Sequence, residues 1–296
     1  MRTKTAIVSA FLAAALYALN APLSKLLLGS VPPSMMAALL YLGAGLGMLA
    51  MAGVRKAAGH PSQEQRLARR DLPYVIGMIV LDIAAPILLM LGINRTSPEN
   101  ASLLNNFEIV ATSLIALVIF RERINRRLWL AIGLIVIASV MLTVDGGARL
   151  SLSLGSVFVL LASSCWGMEN NCTRMLSQSD PQQIVIVKGL GSGMGALLVA
   201  LLSGEGFPAL HFIPAALALG FVAYGLSIFF YVYAQRYLGA AKTSACYAVA
   251  PFIGVLLSLL IFRELPGVIF FAALAVMIAA TILIVRDEQD STSVKS

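Results

Sequence analysis

Ten long apolar stretches dominate the chain, near residues 5–28, 32–53, 72–94, 97–120, 127–145, 152–176, 182–203, 209–235, 239–262 and 265–286. Each is bounded by charge, Pro or Gly, and roughly 20 apolar residues suffice to cross a bilayer. Hydrocarbon offers no water to an open backbone, so such a stretch has to close its hydrogen bonds within a helix. The pattern predicts an all-α integral membrane protein with ten transmembrane helices. It leaves no room for a soluble domain, because the longest connection runs only from about Arg55 to Asp71. Composition agrees: 12% of the residues are charged, against about 25% in an ordinary soluble domain. A soluble enzyme, a nucleic-acid binder and a disordered chain are therefore excluded. Arg2 and Lys4 followed by an apolar run imitate a signal peptide. The run is long, contains Asn20 and Lys25 and lacks a clear cleavage site, so it reads as the first span.

Loop charge gives the orientation. With the N-terminus in the cytoplasm, 16 of the 21 Lys and Arg fall on the inside. Lys25, Arg95, Arg149 and Arg263 fall outside, and Lys188 lies within a span. Adding or removing one span would flip everything downstream and destroy that bias. Both termini are expected in the cytoplasm, with the chain in the bacterial inner membrane. The net charge of +7 reports this loop bias and no nucleic-acid footprint.

The chain echoes itself. Leu117-Val118-Ile119-Phe120-Arg121-Glu122 returns as Leu259-Leu260-Ile261-Phe262-Arg263-Glu264, at an offset of 142. Span 1 returns in span 6 at an offset of 149, pairing Tyr17 with Trp166, Asn20 with Glu169, Ser24 with Thr173 and Lys25 with Arg174. Gly43 and Gly47 of span 2 correspond to Gly191 and Gly195 of span 7 at an offset of 148. Three echoes in one order predict two five-helix units, residues 1–147 and 148–296. Five is odd, so the second unit enters the membrane from the opposite side. Inverted repeats of this kind are a common build for transporters, because two related bundles can rock around a midplane site.

The five-plus-five plan, the Lys25/Arg174 pair ending each first helix and the paired Phe-Arg-Glu ends resemble the drug/metabolite transporter superfamily, in its EamA-type branch. The resemblance covers essentially the whole chain and extends to bacterial amino-acid exporters, including those of the YddG type for aromatic amino acids. It implies a basket of ten helices around a central cavity that moves amino acids or related metabolites outward by alternating access. Sister families carry nucleotide sugars, drugs or sugar phosphates on the same plan.

Polar groups at membrane depth mark candidate cavity residues, since a charge at a helix centre costs about 2.5–3.5 kcal/mol on insertion scales. Asp82 sits near the middle of span 3 and Glu108 near the middle of span 4, with no basic residue at their depth on neighbouring spans. Glu169 and Lys188 agree in depth and form a candidate structural ion pair. Helical spacing puts Tyr17, Asn20 and Ser24 on one face of span 1, and Trp166, Glu169, Asn170 and Thr173 on the matching face of span 6. Asn105 with Ser102, Tyr224 with Ser227, and Tyr247 with Ser244 continue the polar set in spans 4, 8 and 9. Such a set suits a zwitterion: oxygens and rings for the ammonium, amides and hydroxyls for the carboxylate. The plainer reading is interhelical hydrogen bonding, at roughly 0.6 kcal/mol each, and for the tyrosines that or interfacial anchoring is preferred.

Pro22, Pro86 and Pro251 fall inside spans 1, 3 and 9, where each deletes a backbone bond. They are hinge candidates for alternating access, or static kinks. Gly43-x-x-x-Gly47 and Gly191-x-x-x-Gly195 permit close helix packing and leave a homo-oligomer face open. The three cysteines give neither a disulfide framework nor metal-ligand spacing. No metal, cofactor or catalytic motif is expected; Gly191-x-Gly193-x-x-Ala196 follows no strand and is no dinucleotide fingerprint. The expected partners are a small-molecule substrate and the lipid bilayer.

Overall fold

A computed structural model describes residues 2–59, 62, 64–120, 126–145, 151–263 and 265–293. His60, Arg121, Glu122, Arg149, Glu264 and Lys295 lie outside the described residues, so most of the paired Phe-Arg-Glu echo does too. The side chains of Arg2, Lys4, Lys242, Ser244, Cys246 and Arg286 also lie outside them.

Every apolar stretch read from the sequence contains helix. In order they are α1 (Arg2–Ala18), α2 (Asn20–Leu27), α3 (Pro33–Ala57), α4 (Leu72–Arg95), α5 (Pro98–Leu104), α6 (Phe107–Phe120), α7 (Arg126–Thr143), α8 (Leu154–Leu176), α9 (Pro181–Leu202), α10 (Phe212–Gly220), α11 (Ser227–Tyr247), α12 (Ala250–Phe262) and α13 (Val268–Ser293). A π-helical segment, Phe221–Leu226, joins α10 to α11. Among the described residues, five helical segments are long and apolar enough to cross a membrane: Thr5–Leu27, Pro33–Ala57, Arg69–Arg95, Pro181–Leu202 and Phe212–Tyr237. Shorter apolar helices cover Trp129–Leu142, Ala250–Phe262 and Val268–Leu283. The 97–120 stretch is divided by the Asn105–Asn106 interruption between α5 and α6.

Two differences from the sequence reading stand out. Helix α11 runs unbroken across residues 235–239, where a boundary between two stretches was expected. The link between α7 and α8 is not plain loop: Val144–Asp145 pairs antiparallel with Ser151–Leu152.

The helix starts are chemically marked. Ser97, Ser153 and Asp180 accept hydrogen bonds from Asn100 N, Ser156 N and Gln182 N, capping α5, α8 and α9. Glu205 reaches back to the start of α3, accepting from Ser34 N at 3.2 Å and Met35 N at 2.8 Å. A carboxylate at that end also meets the positive pole of the helix dipole.

Helices pair across the halves: α3 runs along α9, α4 along α8, α1 along α11, α5 along α12 and α7 along α13. Glycine makes the closest approaches possible. A Cβ on Gly43 would stand 2.1 Å from the Leu217 carbonyl oxygen, and one on Gly47 2.1 Å from the Phe221 ring. One on Gly191 would stand 2.6 Å from Ile79, and one on Gly195 2.2 Å from Ile83. In the same way Gly45 meets Leu190, and Gly193 meets Leu42. Gly43, Gly45 and Gly47 differ by 148 in number from Gly191, Gly193 and Gly195, and Leu42 and Leu190 differ by the same offset. The glycine stripes are thus packing seams inside the molecule. The outer surface carries exposed Val118, Val136, Ile137, Val140, Leu198 and Leu202, an apolar coat that suits lipid and not water.

Prolines act at helix breaks in two of three cases. Pro22 cannot donate to the Ala18 carbonyl four residues back, and the chain kinks at Leu19 between α1 and α2. Pro251 withholds the same bond from Tyr247, where α11 ends and α12 begins. Pro86 instead lies inside the continuous α4. The carbonyl it deprives of an i+4 donor is that of Asp82.

Candidate functional site

The deepest charges form one cluster. Lys188 Nζ lies 3.0 Å from Asp82 Oδ2 and 2.9 Å from Glu169 Oε1. All three residues are buried, at 5%, 0% and 2% exposure. Tyr41 OH donates to Asp82 Oδ1 at 2.8 Å, and Trp166 Nε1 donates to the same oxygen at 3.1 Å. Thr173 Oγ1 donates to Glu169 Oε1 one turn along α8. The expected Glu169–Lys188 pair is present. The expectation that Asp82 lacks a basic partner is overturned, because Lys188 serves both carboxylates. Depth counted along single helices missed this, since it ignores the reach of a four-carbon side chain.

Beside the cluster opens a cavity of about 70 Å³. Its lining includes Tyr17, Glu108, Trp166, Glu169, Asn170, Tyr224 and Tyr247 from the sequence candidates, together with Tyr41, Thr173, Lys188 and Tyr231. Glu108 stands in the first turn of α6, which the Asn105–Asn106 break makes possible. Asn170 Nδ2 donates to Glu108 Oε1 at 2.5 Å and to Thr112 Oγ1 at 3.4 Å. Glu108 also lies in the electrostatic field of Glu169 and Lys188.

The aromatic rings form a connected network. Ring centroids of Tyr17 lie 6.4 Å from Trp166, 6.0 Å from Tyr224 and 5.7 Å from Tyr247. Tyr41 and Tyr224 are 5.0 Å apart, as are Tyr231 and Tyr247. These rings line the cavity, and the interhelical hydrogen bonding expected of the tyrosines is present as well, from Asn20 to Tyr224 and between Ser227 and Tyr247.

Three sequence candidates do not face this cavity. Asp82 sits behind its wall, fully buried. Asn20 and Asn105 line a second, smaller cavity of about 10 Å³ with Ser102, Pro251 and Gly254, and Tyr17 borders both cavities. Asn20 Nδ2 donates to Tyr224 OH at 3.1 Å, and its Oδ1 accepts from Ser24 at 3.0 Å. Asn20 thereby ties the π-helical segment to α2. Tyr41 escaped the sequence reading entirely. Its signal was position: a tyrosine nine residues into a 25-residue apolar helix is far from the interface where aromatic belts sit.

A multi-pass membrane bundle with a charged, aromatic cavity held inside it is the construction of a membrane transporter. The EamA-like transporter family matches the sequence twice, over residues 4–144 and 153–286, and the chain belongs to that family. It is 26% identical over 280 residues to an uncharacterized transporter of Methanothermobacter thermautotrophicus, covering 89% of this chain and 81% of that one. It is 23% identical to the uncharacterized inner membrane transporter YedA of Escherichia coli, covering 86% and 82%. A solved crystal structure, 18% identical, shares the fold with a TM-score of 0.68 over 94% of each chain.

Proposed function

We propose that the protein is a secondary transporter that exports small amino compounds, amino acids and related metabolites, across the inner membrane by alternating access. The observation that carries this reading is the composition of the cavity wall. Tyr17, Tyr41 and Glu108 come from the first half of the chain, and Trp166, Asn170, Tyr224 and Tyr247 from the second. Relative motion of two halves would then open the site to one side or the other.

The same proposal takes the chain as ten crossings with both termini cytoplasmic, built from inverted units 1–147 and 148–296. The two family matches support it, as do the glycine seams, whose contacts recur when residues of the two halves are exchanged. Export follows the resemblance to amino-acid exporters, and the location follows the relative named as an inner membrane transporter. A nucleotide-sugar or sugar-phosphate cargo fits less well. Among the described residues, Lys188 is the cation at the cavity, and two carboxylates already hold it.

The test is flux through purified protein in liposomes, against a panel of amino acids, amines, purines and sugar phosphates. Flux of one or more amino compounds is expected. A correctly folded preparation that moves none of them would refute the proposal. Running the panel with and without a pH gradient separates proton coupling from uniport.

A further inference from the structure

Resting on that transport reading, we infer that the cavity selects amines with an aromatic or apolar body over the matched zwitterionic amino acids. Three carboxylates, Asp82, Glu108 and Glu169, share one electrostatic neighbourhood with a single ammonium, Lys188. Lys188 is divided between Asp82 and Glu169. Glu108 has no cationic partner within ion-pair distance among the described residues. Its Oε1 takes the Asn170 amide. The site therefore holds one more carboxyl group than its lysine pairs with, and that group lines the cavity.

The rings point the same way. Tyr17, Tyr41, Trp166, Tyr224, Tyr231 and Tyr247 all line the cavity, and an aromatic face attracts a cation through its quadrupole. A substrate ammonium set between Glu108 and these rings would meet a counter-charge and a box of faces together.

A substrate carboxylate would find neither. The nitrogen donors nearby are already committed: Asn170 to Glu108 and Thr112, Trp166 to Asp82, and Asn20 to Tyr224. Tyr41 spends its hydroxyl on Asp82. A substrate carboxylate would be left with phenol hydroxyls such as that of Tyr224, which accepts from Asn20, and burying a charge with only neutral donors and no counter-charge is costly. An amine avoids that penalty and keeps every favourable contact.

The experiment measures binding to the purified full-length protein by calorimetry, using matched pairs: tryptamine and tryptophan, tyramine and tyrosine, phenethylamine and phenylalanine. Phenylalanine methyl ester is the third arm, since it removes the carboxylate charge and keeps the rest. The amines and the ester should bind about 10- to 100-fold more tightly than the amino acids, the range that one charge-assisted hydrogen bond represents. Glu108→Gln should erase most of that advantage. The ester comparison needs no variant, so the test survives a substitution that misfolds. Amino acids that bind as tightly as their amines or ester overturn the inference and leave an amino-acid transporter standing. Binding of no member of any pair overturns it as well, and liposome flux of the wider panel then decides the transport reading separately.

Discussion

Replacing Lys188 with methionine tests the charged cluster, because it deletes the ammonium and keeps most of the side-chain volume. Asp82 and Glu169 are 0% and 2% exposed, so neither carboxylate is solvated as it would be at the surface. Tyr41, Trp166 and Thr173 still donate to the two carboxylates, but they bring no neutralising charge. Removing one partner of a buried ion pair costs about 3–5 kcal/mol. Lys188 serves two partners, which argues for the upper part of that range. At ~2 °C per kcal/mol for a chain of this size, the thermal midpoint in detergent should fall by about 8–10 °C. The triple variant Asp82→Asn, Glu169→Gln, Lys188→Met removes all three charges together and should recover most of the loss, since neutral replacement of a buried cluster is often tolerated. The assay is heat-ramped unfolding of purified protein, with monodispersity checked by gel filtration. A midpoint for Lys188→Met within about 1 °C of the parent, or a triple variant no more stable than the single, would refute the reasoning.

Other expectations concern packing and capping. Gly43→Ala places a methyl 2.1 Å from a backbone oxygen of Leu217 and should lower stability by at least about 1–3 kcal/mol. Gly133→Ala, where nothing lies within 4 Å, should be neutral or stabilise by up to about 1 kcal/mol; equal effects at the two sites would contradict the seam. Glu205→Ala removes the acceptor for Ser34 N and Met35 N and should cost about 1 kcal/mol, read as a lower unfolding midpoint. Tyr224→Phe strands the Asn20 amide and should cost about 1–3 kcal/mol, whereas Asn20→Leu combined with it should cost less than the sum of the two single changes.

The sequence was most informative where chemistry repeats along the chain. Apolar runs located the helices, and Gly43, Gly47, Gly191 and Gly195 marked real seams. Glu108, Trp166, Glu169 and Asn170 were legible because a polar group in an apolar helix needs a reason. What a single helix cannot show is who stands across from whom. Asp82 read as a lining residue because its partner, Lys188, lies 106 positions away on another helix. Tyr41 was hidden for the same reason: only packing against Asp82 and Tyr224 gives it a role. The break at Asn105–Asn106 was equally invisible, since two asparagines in a span read as polar lining and not as an interruption. Asn105 N still bonds four residues back, to Ala101 O, but Asn106 N, Glu108 N and Ile109 N bond only three back, to Leu103 O, Asn105 O and Asn106 O, and this starts α6 just before Glu108.

The central claim is that one cavity, walled by both halves, carries cargo by exposing itself to each side in turn. Counterflow in liposomes tests it most directly. Vesicles holding excess unlabelled tryptamine or tryptophan are diluted into trace labelled compound. A transient accumulation of label above equilibrium, weakened for tryptamine when Glu108→Gln removes the spare carboxyl group, is the predicted result. Label that merely rises to equilibrium without an overshoot, or an ionic conductance through the purified protein, would contradict the account.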